Sequence, residues 1–156
     1  MIKYTDTQVV FQEFPDEVTL AINLSLCPNR CKGCHSEYLK EDIGQELTIQ
    51  ELDKLIKEND GITCIGFMGG DNDTKTLLRL IEHVKETTSL KTGWYSGKDE
   101  ADNSIFTSNK CDYIKIGHYD EDCGPINKEA TNQRMLFLSD TGYEDITESF
   151  WKNEFL

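Results

Sequence analysis

The sequence predicts an α/β protein in which parallel strands curl into part of a (βα) barrel of about five or six strands. Three observations lead there. Segments with the period of a strand alternate with segments that keep a helical period, at spacings that suit βαβ units. Two stretches that directly follow strands are rich in residues able to bind or react, and ligands of parallel sheets gather beyond the carboxyl ends of the strands. The length of 156 residues suits one compact domain, residues 1–156, with a core of its own.

Residues 17–25, EVTLAINLS, alternate Val18, Leu20, Ile22 and Leu24 with smaller or polar side chains, as a strand does. This strand runs directly into LCPNRCKGCHS, residues 26–36, which holds Cys27, Cys31 and Cys34. Thr48 and Glu51 form a capping box, and Ile49, Leu52, Leu55 and Ile56 fall on one stripe, so a helix is expected over about residues 48–59, closed near Gly61. Residues 62–68, ITCIGFM, are a short apolar run of the kind found in a strand covered on both faces, and they end in Gly69, Gly70 and Asp71. A second helix, marked by Leu77, Leu78, Ile81 and Val84, is expected from Asp73 or Thr74 to about Glu86. Further strands are expected at residues 91–96, 113–116 and 135–138, with a short helix around 99–107. The run GHYDEDCGPINKEATNQ, residues 117–133, keeps no clear period and is long for an inert connection, which marks it as a functional loop at the same rim. The tail DITESFWKNEFL reads as a closing helix with Phe150, Trp151 and Phe155 on its apolar side.

Charge is lopsided, with 29 acidic side chains against 16 basic ones and a formal net charge of −13. A nucleic-acid backbone is repelled by such a chain unless its basic residues gather on one face, and no stretch gathers them. No segment approaches the roughly 20 apolar residues of a membrane helix, and the opening MIKYTDTQVVFQEF lacks the order of a signal peptide. A cytoplasmic protein is expected. In that reducing compartment, clustered cysteines are more often metal ligands or reactive thiols than a disulfide framework.

A structural zinc takes four protein ligands, so Cys27, Cys31 and Cys34 would need one more. His35 points poorly toward an ion already held by its neighbour Cys34, and Cys64, Cys111 or Cys123 folding back stays open as a fourth ligand. A [4Fe–4S] cluster is held by cysteine thiolates, one for each iron, so three cysteines leave one iron open for chemistry.

The spacing Cys27-Pro-Asn-Arg-Cys31-Lys-Gly-Cys34 resembles the C-x-x-x-C-x-x-C signature of the radical S-adenosylmethionine (SAM) enzymes. Within that superfamily the chain resembles the activating proteins of anaerobic ribonucleoside-triphosphate reductases. The closer likeness rests on CPNRCKGCH, on DYIKIGHYDED at residues 112–122 and on TNQR at residues 131–134. The resemblance implies a partial barrel and a [4Fe–4S] cluster on Cys27, Cys31 and Cys34, whose open iron is chelated by the amino and carboxylate groups of SAM. It also implies that an electron from a flavodoxin-type donor cleaves SAM to methionine and a 5′-deoxyadenosyl radical. That radical would take a hydrogen from one glycine of the large reductase, so the substrate would be another protein.

The family uses the turn corresponding to Gly69 and Gly70 to hold the SAM ammonium; the plainer alternative is a turn and nothing more. Asp71 stands where many members have glutamate, so the ammonium is expected on main-chain carbonyls near Gly69 and Gly70, with Gly70→Val more damaging to SAM binding than Asp71→Asn. Ser96 is expected at the SAM ribose or carboxylate, or in a turn. Lys115 belongs to a DxK-like segment that the resemblance puts at the pocket rim, although a strand lysine ordinarily faces water. Asn132, Gln133 and Arg134 cap the last strand, or bind SAM or the partner. Cys64 reads as a buried small hydrophobe.

Two other functions compete. One is an activase for a different glycyl radical enzyme, of the formate-lyase type, against which stand TNQR and the lack of a cysteine-rich insertion. The other is a zinc-stabilised interaction module without catalysis.

Overall fold

The computed structural model describes residues 1–25 and 41–152, and their backbone forms β1 (Lys3–Val10), β2 (Thr19–Leu24), β3 (Gln45–Glu46), α1 (Ile49–Glu58), β4 (Cys64–Met68), α2 (Thr74–Thr87), β5 (Lys91–Tyr95), α3 (Asn103–Ser108), β6 (Tyr113–Ile116), β7 (Arg134–Ser139), β8 (Gly142–Asp145) and α4 (Ser149–Lys152). The strands join one eight-stranded sheet in the order β3-β1-β2-β4-β5-β6-β7-β8. Its centre, β2-β4-β5-β6, is parallel, and the flanking pairs are antiparallel.

This corrects the expected strand count of five or six, and it limits the parallel sheet to four strands. The strand expected at residues 135–138 is β7, and it returns antiparallel to β6. A parallel return needs a crossover, usually helical, whereas residues 117–133 form no helix and bring the chain back from the rim at which β6 ends. Among the described residues no pairing joins β8 to β3, so the sheet is open.

The helices form where the caps and stripes direct. Thr48 Oγ1 accepts from the Glu51 amide at 3.1 Å and starts α1, and Asp73 accepts from the Thr76 amide at 3.1 Å and starts α2. Leu52 and Leu55 of α1, Leu77, Leu80, Ile81 and Val84 of α2, and Ile105 of α3 meet Leu20, Ile22, Ile65, Phe67, Trp94 and Ile114 in one core on one side of the sheet. Strand alternation sends the intervening side chains to the other side, where Phe14, Cys64, Tyr113 and Met135 form a second core with Tyr95, Phe137 and Phe150 packed against it.

Phe14 fills the hole left by two strand glycines. A Cβ on Gly93 would lie 2.3 Å from Phe14 Cζ, and one on Gly66 would lie 2.9 Å from Phe14 Cε2. The Phe14 ring meets Tyr95 edge-on at 5.2 Å and Tyr113 at 5.3 Å. Three residues on, Glu17 accepts from Thr63 Oγ1 at 2.7 Å and from the Tyr113 hydroxyl at 2.9 Å, with Lys91 Nζ at 3.4 Å. Burial and the facing Glu17 carboxylate both raise the Tyr113 hydroxyl above its ordinary range. The segment between β1 and β2 is thereby fastened to the entries of β4, β5 and β6.

Candidate functional site

Register decides what meets at the other end of the sheet. Asn23 pairs with Met68, Met68 with Tyr95, and Tyr95 with Lys115, so the four parallel strands finish level. The two positions that follow this row on each strand are Leu24 and Ser25, Gly69 and Gly70, Ser96 and Gly97, and Ile116 and Gly117. Cys27, Cys31, Cys34 and His35 lie outside the described residues, but the chain enters their segment at this rim. Its two ends are tied together: Ser25 Oγ donates to the Ile43 carbonyl at 2.6 Å, and the Ser25 amide donates to the Lys3 carbonyl at 2.9 Å. Lys3 Nζ then holds Asp42 at 2.7 Å.

Gly69 and Gly70 have φ of +118° and +97°, the left-handed region that favours glycine. The Gly69 carbonyl accepts from the Trp94 indole at 2.8 Å, and the Gly70 carbonyl accepts from the Asp73 amide at 3.1 Å. Each of the carbonyls expected to hold an ammonium thus has one of its two acceptor sites engaged within the protein. A Cβ on Gly70 would press on Leu77 Cδ2 at 3.1 Å and Leu24 Cδ1 at 3.2 Å, so Gly70→Val strains the core itself and does not isolate a ligand contact.

Asp71 is 8% exposed and turns inward along the rim. Its Oδ1 accepts from Ser96 Oγ at 2.6 Å and its Oδ2 from the Gly97 amide at 2.9 Å. Ser96 Oγ in turn accepts from the Lys98 amide at 3.1 Å. The next strand joins through the Ser96 amide, which donates to the Lys115 carbonyl at 2.9 Å, and through the Gly117 amide, which donates to the Lys98 carbonyl at 2.6 Å. Lys115 is 7% exposed, contrary to the habit of strand lysines. Its Nζ donates to the Gly117 carbonyl at 3.1 Å and stands 5.4 Å from the Tyr95 ring centroid. The structure thus brings Gly69, Gly70, Asp71, Ser96 and Lys115 together on one rim.

Asn23, Met68 and Tyr95 share the register row of Lys115 and were missed by motif reading, although their two-residue phase with Ala21, Gly66 and Gly93 was legible. Tyr95 is held by its hydroxyl, which donates to the Glu13 carbonyl at 2.7 Å. Also missed was His118, whose Nδ1 lies 2.7 Å from Asp99 Oδ1 and holds that carboxyl below its usual range. It links the loop after β5 to the loop after β6. The latter loop is built from turns, with the Gly124 amide on the Asp120 carbonyl and the Lys128 amide on the Pro125 carbonyl. It returns through Asn132, whose Nδ2 donates to the His118 carbonyl at 3.0 Å and whose buried Oδ1 has no partner among the described residues. Arg134 opens β7, with Nε 3.6 Å from Asp145 on β8.

The remaining cysteines lie elsewhere. Cys64 begins β4 and Cys111 precedes β6, both fully buried at the end of the sheet opposite the rim. Burial pushes the Cys64 thiol up to about 12 and raises Cys111 as well, which disfavours the thiolate that binds metal. Cys123 belongs to the rim loop, where desolvation and Asp120 raise it. Among the described residues no three His, Cys, Asp or Glu side chains converge as metal ligands. No described helix is long and apolar enough to cross a membrane.

A mixed α/β sheet whose level parallel strands run out at one rim, with Ser25 and a Gly-Gly-Asp turn just beyond them, has the plan of a domain that binds a ligand there. The chain belongs to the family of the 4Fe-4S single cluster domain, whose model matches residues 18–114, from the residue before β2 into β6. No curated protein and no solved structure matched the chain. The composition of the matched span fits a cluster: of its five cysteines, Cys64 and Cys111 are buried at the base of the sheet, and Cys27, Cys31 and Cys34, outside the described residues, supply three further thiols in one segment. The unpartnered Asn132 Oδ1 also fits a ligand with a hydrogen-bond donor on this side.

Proposed function

We propose that this protein is a radical SAM activating enzyme whose [4Fe–4S] cluster is ligated by Cys27, Cys31 and Cys34, and whose substrate is the glycine of an anaerobic ribonucleoside-triphosphate reductase. The observation that carries this function is the level rim, where a chain of the 4Fe-4S family gathers the turns at Gly69, Asp71 and Ser96 beside Ser25, the residue that leads into its cysteine segment. When bound, the reduced cluster with SAM supplies a 5′-deoxyadenosyl radical. The chain's own part is to bind and orient. Gly69, Gly70, Asp71, Ser96 and Lys115 form the side of the rim against which SAM would lie, with the Lys115 ammonium suited to a carboxylate. Four parallel strands with helices on one side support the partial barrel of this enzyme class. A flavodoxin-type donor and a cytoplasmic setting complete the proposal.

The loop of residues 117–133 is the proposed docking rim for the reductase. Its turns, its internal Asn132–His118 bond and its ties to Asp99 and Trp151 support a formed surface; Trp151 Nε1 donates to the Ile126 carbonyl at 3.1 Å. Replacing residues 119–124 with two glycines, and keeping Ile126 for Trp151, should leave cluster content and SAM binding near wild type. Glycyl radical yield on the reductase, read by electron paramagnetic resonance after reduction with SAM, should fall at least about tenfold, the loss expected when a docking segment is removed. Normal yield from the shortened protein would remove the loop from the docking surface. A radical formed on a formate-lyase-type enzyme instead would reassign the partner.

A further inference from the structure

Asp71 is held in place by the turn of the neighbouring strand. Both carboxylate oxygens are engaged within the protein, Oδ1 by the Ser96 hydroxyl at 2.6 Å and Oδ2 by the Gly97 amide at 2.9 Å. Charge-assisted bonds of this length are the strong ones, and a carboxylate that is 8% exposed has little solvent to replace them. The engaged partners do not end the chain of bonds. Ser96 Oγ takes the Lys98 amide, the Lys98 carbonyl takes the Gly117 amide, and the Ser96 amide gives to the Lys115 carbonyl. Lys115 closes the circuit, because its Nζ donates to the Gly117 carbonyl at 3.1 Å.

We infer that Asp71 is a positioning residue: it clamps the turn after β5 and through that turn fixes Lys115, and it does not itself hold the SAM ammonium. The shorter side chain is then functional. An aspartate reaches Ser96 and Gly97 from the end of β4, whereas a glutamate carries its carboxylate one methylene past them. The inference deepens the proposed function and rests on it for the identity of the ligand, while the clamp itself is a property of the cluster-free chain.

Amide exchange in cluster-free protein tests the clamp. Asp71→Glu and Asp71→Asn should speed exchange of the Gly97 amide by about tenfold or more, the worth of one hydrogen bond to a charged group. Ser96→Ala, which removes only a hydroxyl and spares the fold, should speed Lys98 instead. In reconstituted protein, Asp71→Glu should weaken SAM binding about tenfold, and combining it with Lys115→Ala should cost less than the two separate losses together, as residues acting through one another do. Unchanged Gly97 exchange in both Asp71 variants overturns the clamp. SAM affinity in Asp71→Glu equal to or tighter than wild type overturns the indirect role, because a direct ammonium ligand would tolerate the longer acid. Wild-type protein that holds a cluster yet binds no SAM overturns the proposed function and the SAM-positioning role together, and the Gly97 exchange still decides the clamp.

Discussion

Replacing Cys31 with Ala should yield a protein that folds as wild type does but retains no [4Fe–4S] cluster after anaerobic reconstitution, with SAM cleavage lost entirely. The same result is expected for Cys27→Ala and Cys34→Ala, since a cluster of this kind is held by thiolates and the three share one segment leaving β2. The contrasting variants make the test specific. Cys64 and Cys111 are buried at the base of the sheet with raised thiols, and Cys64→Ala and Cys111→Ala should keep the iron and sulfide content of wild type. Cys123→Ala should keep it too, because the acidic surroundings of that thiol disfavour its thiolate. Iron and acid-labile sulfide assays with the visible absorption spectrum are the measurement. A Cys31→Ala protein with a full cluster removes Cys31 from the ligand set, and loss of the cluster in Cys123→Ala would add a fourth cysteine and close the open iron.

Phe14→Ala should cost about 3–5 kcal/mol of folding stability, the range for emptying a buried phenylalanine site. The Phe14 side chain is fully buried, and its ring occupies the space that Gly66 and Gly93 leave on the sheet. Strand backbones at two glycines relax little, so the cavity should stay open. Against a total of about 5–15 kcal/mol, such a loss leaves a marginal protein. Urea unfolding of cluster-free protein followed by circular dichroism measures it. The site should feel the same change, because Phe14 supports Tyr95 edge-on and the Lys115 ammonium stands over the Tyr95 ring. A loss below about 1 kcal/mol would mean that the second core collapses onto the gap and that Phe14 is not its keystone.

Much of this arrangement is legible in the sequence where local chemistry and burial agree. α1 and α2 carry their caps and stripes, β2 carries a two-residue alternation, and β4 carries an apolar run because both of its faces are covered. β1 escapes notice because only Tyr4 of KYTDTQVV is buried, so the strand has almost no apolar phase to read. β3 is two exposed residues, and β8 is half-exposed; both exist through pairing with a neighbour distant in sequence or across a turn. Phe14 is similarly illegible, since its meaning lies in two glycines more than fifty residues away. At the site, the rim location of Gly69, Ser96 and Lys115 follows from strand ends. The use of Asp71 does not, because its partners Ser96 and Gly97 belong to another strand's turn and a motif names a residue without its hydrogen bonds.

The proposed function requires that Cys27, Cys31 and Cys34 hold a cluster that reductively cleaves SAM, with the rim of β2, β4, β5 and β6 as its binding surface. Anaerobically reconstituted wild-type protein, reduced with dithionite and given SAM, should form methionine and 5′-deoxyadenosine in equal amounts, quantified by chromatography, while Cys31→Ala forms neither. A wild-type protein that purifies colourless with zinc, or one that carries a reducible [4Fe–4S] cluster and leaves SAM intact, would contradict it.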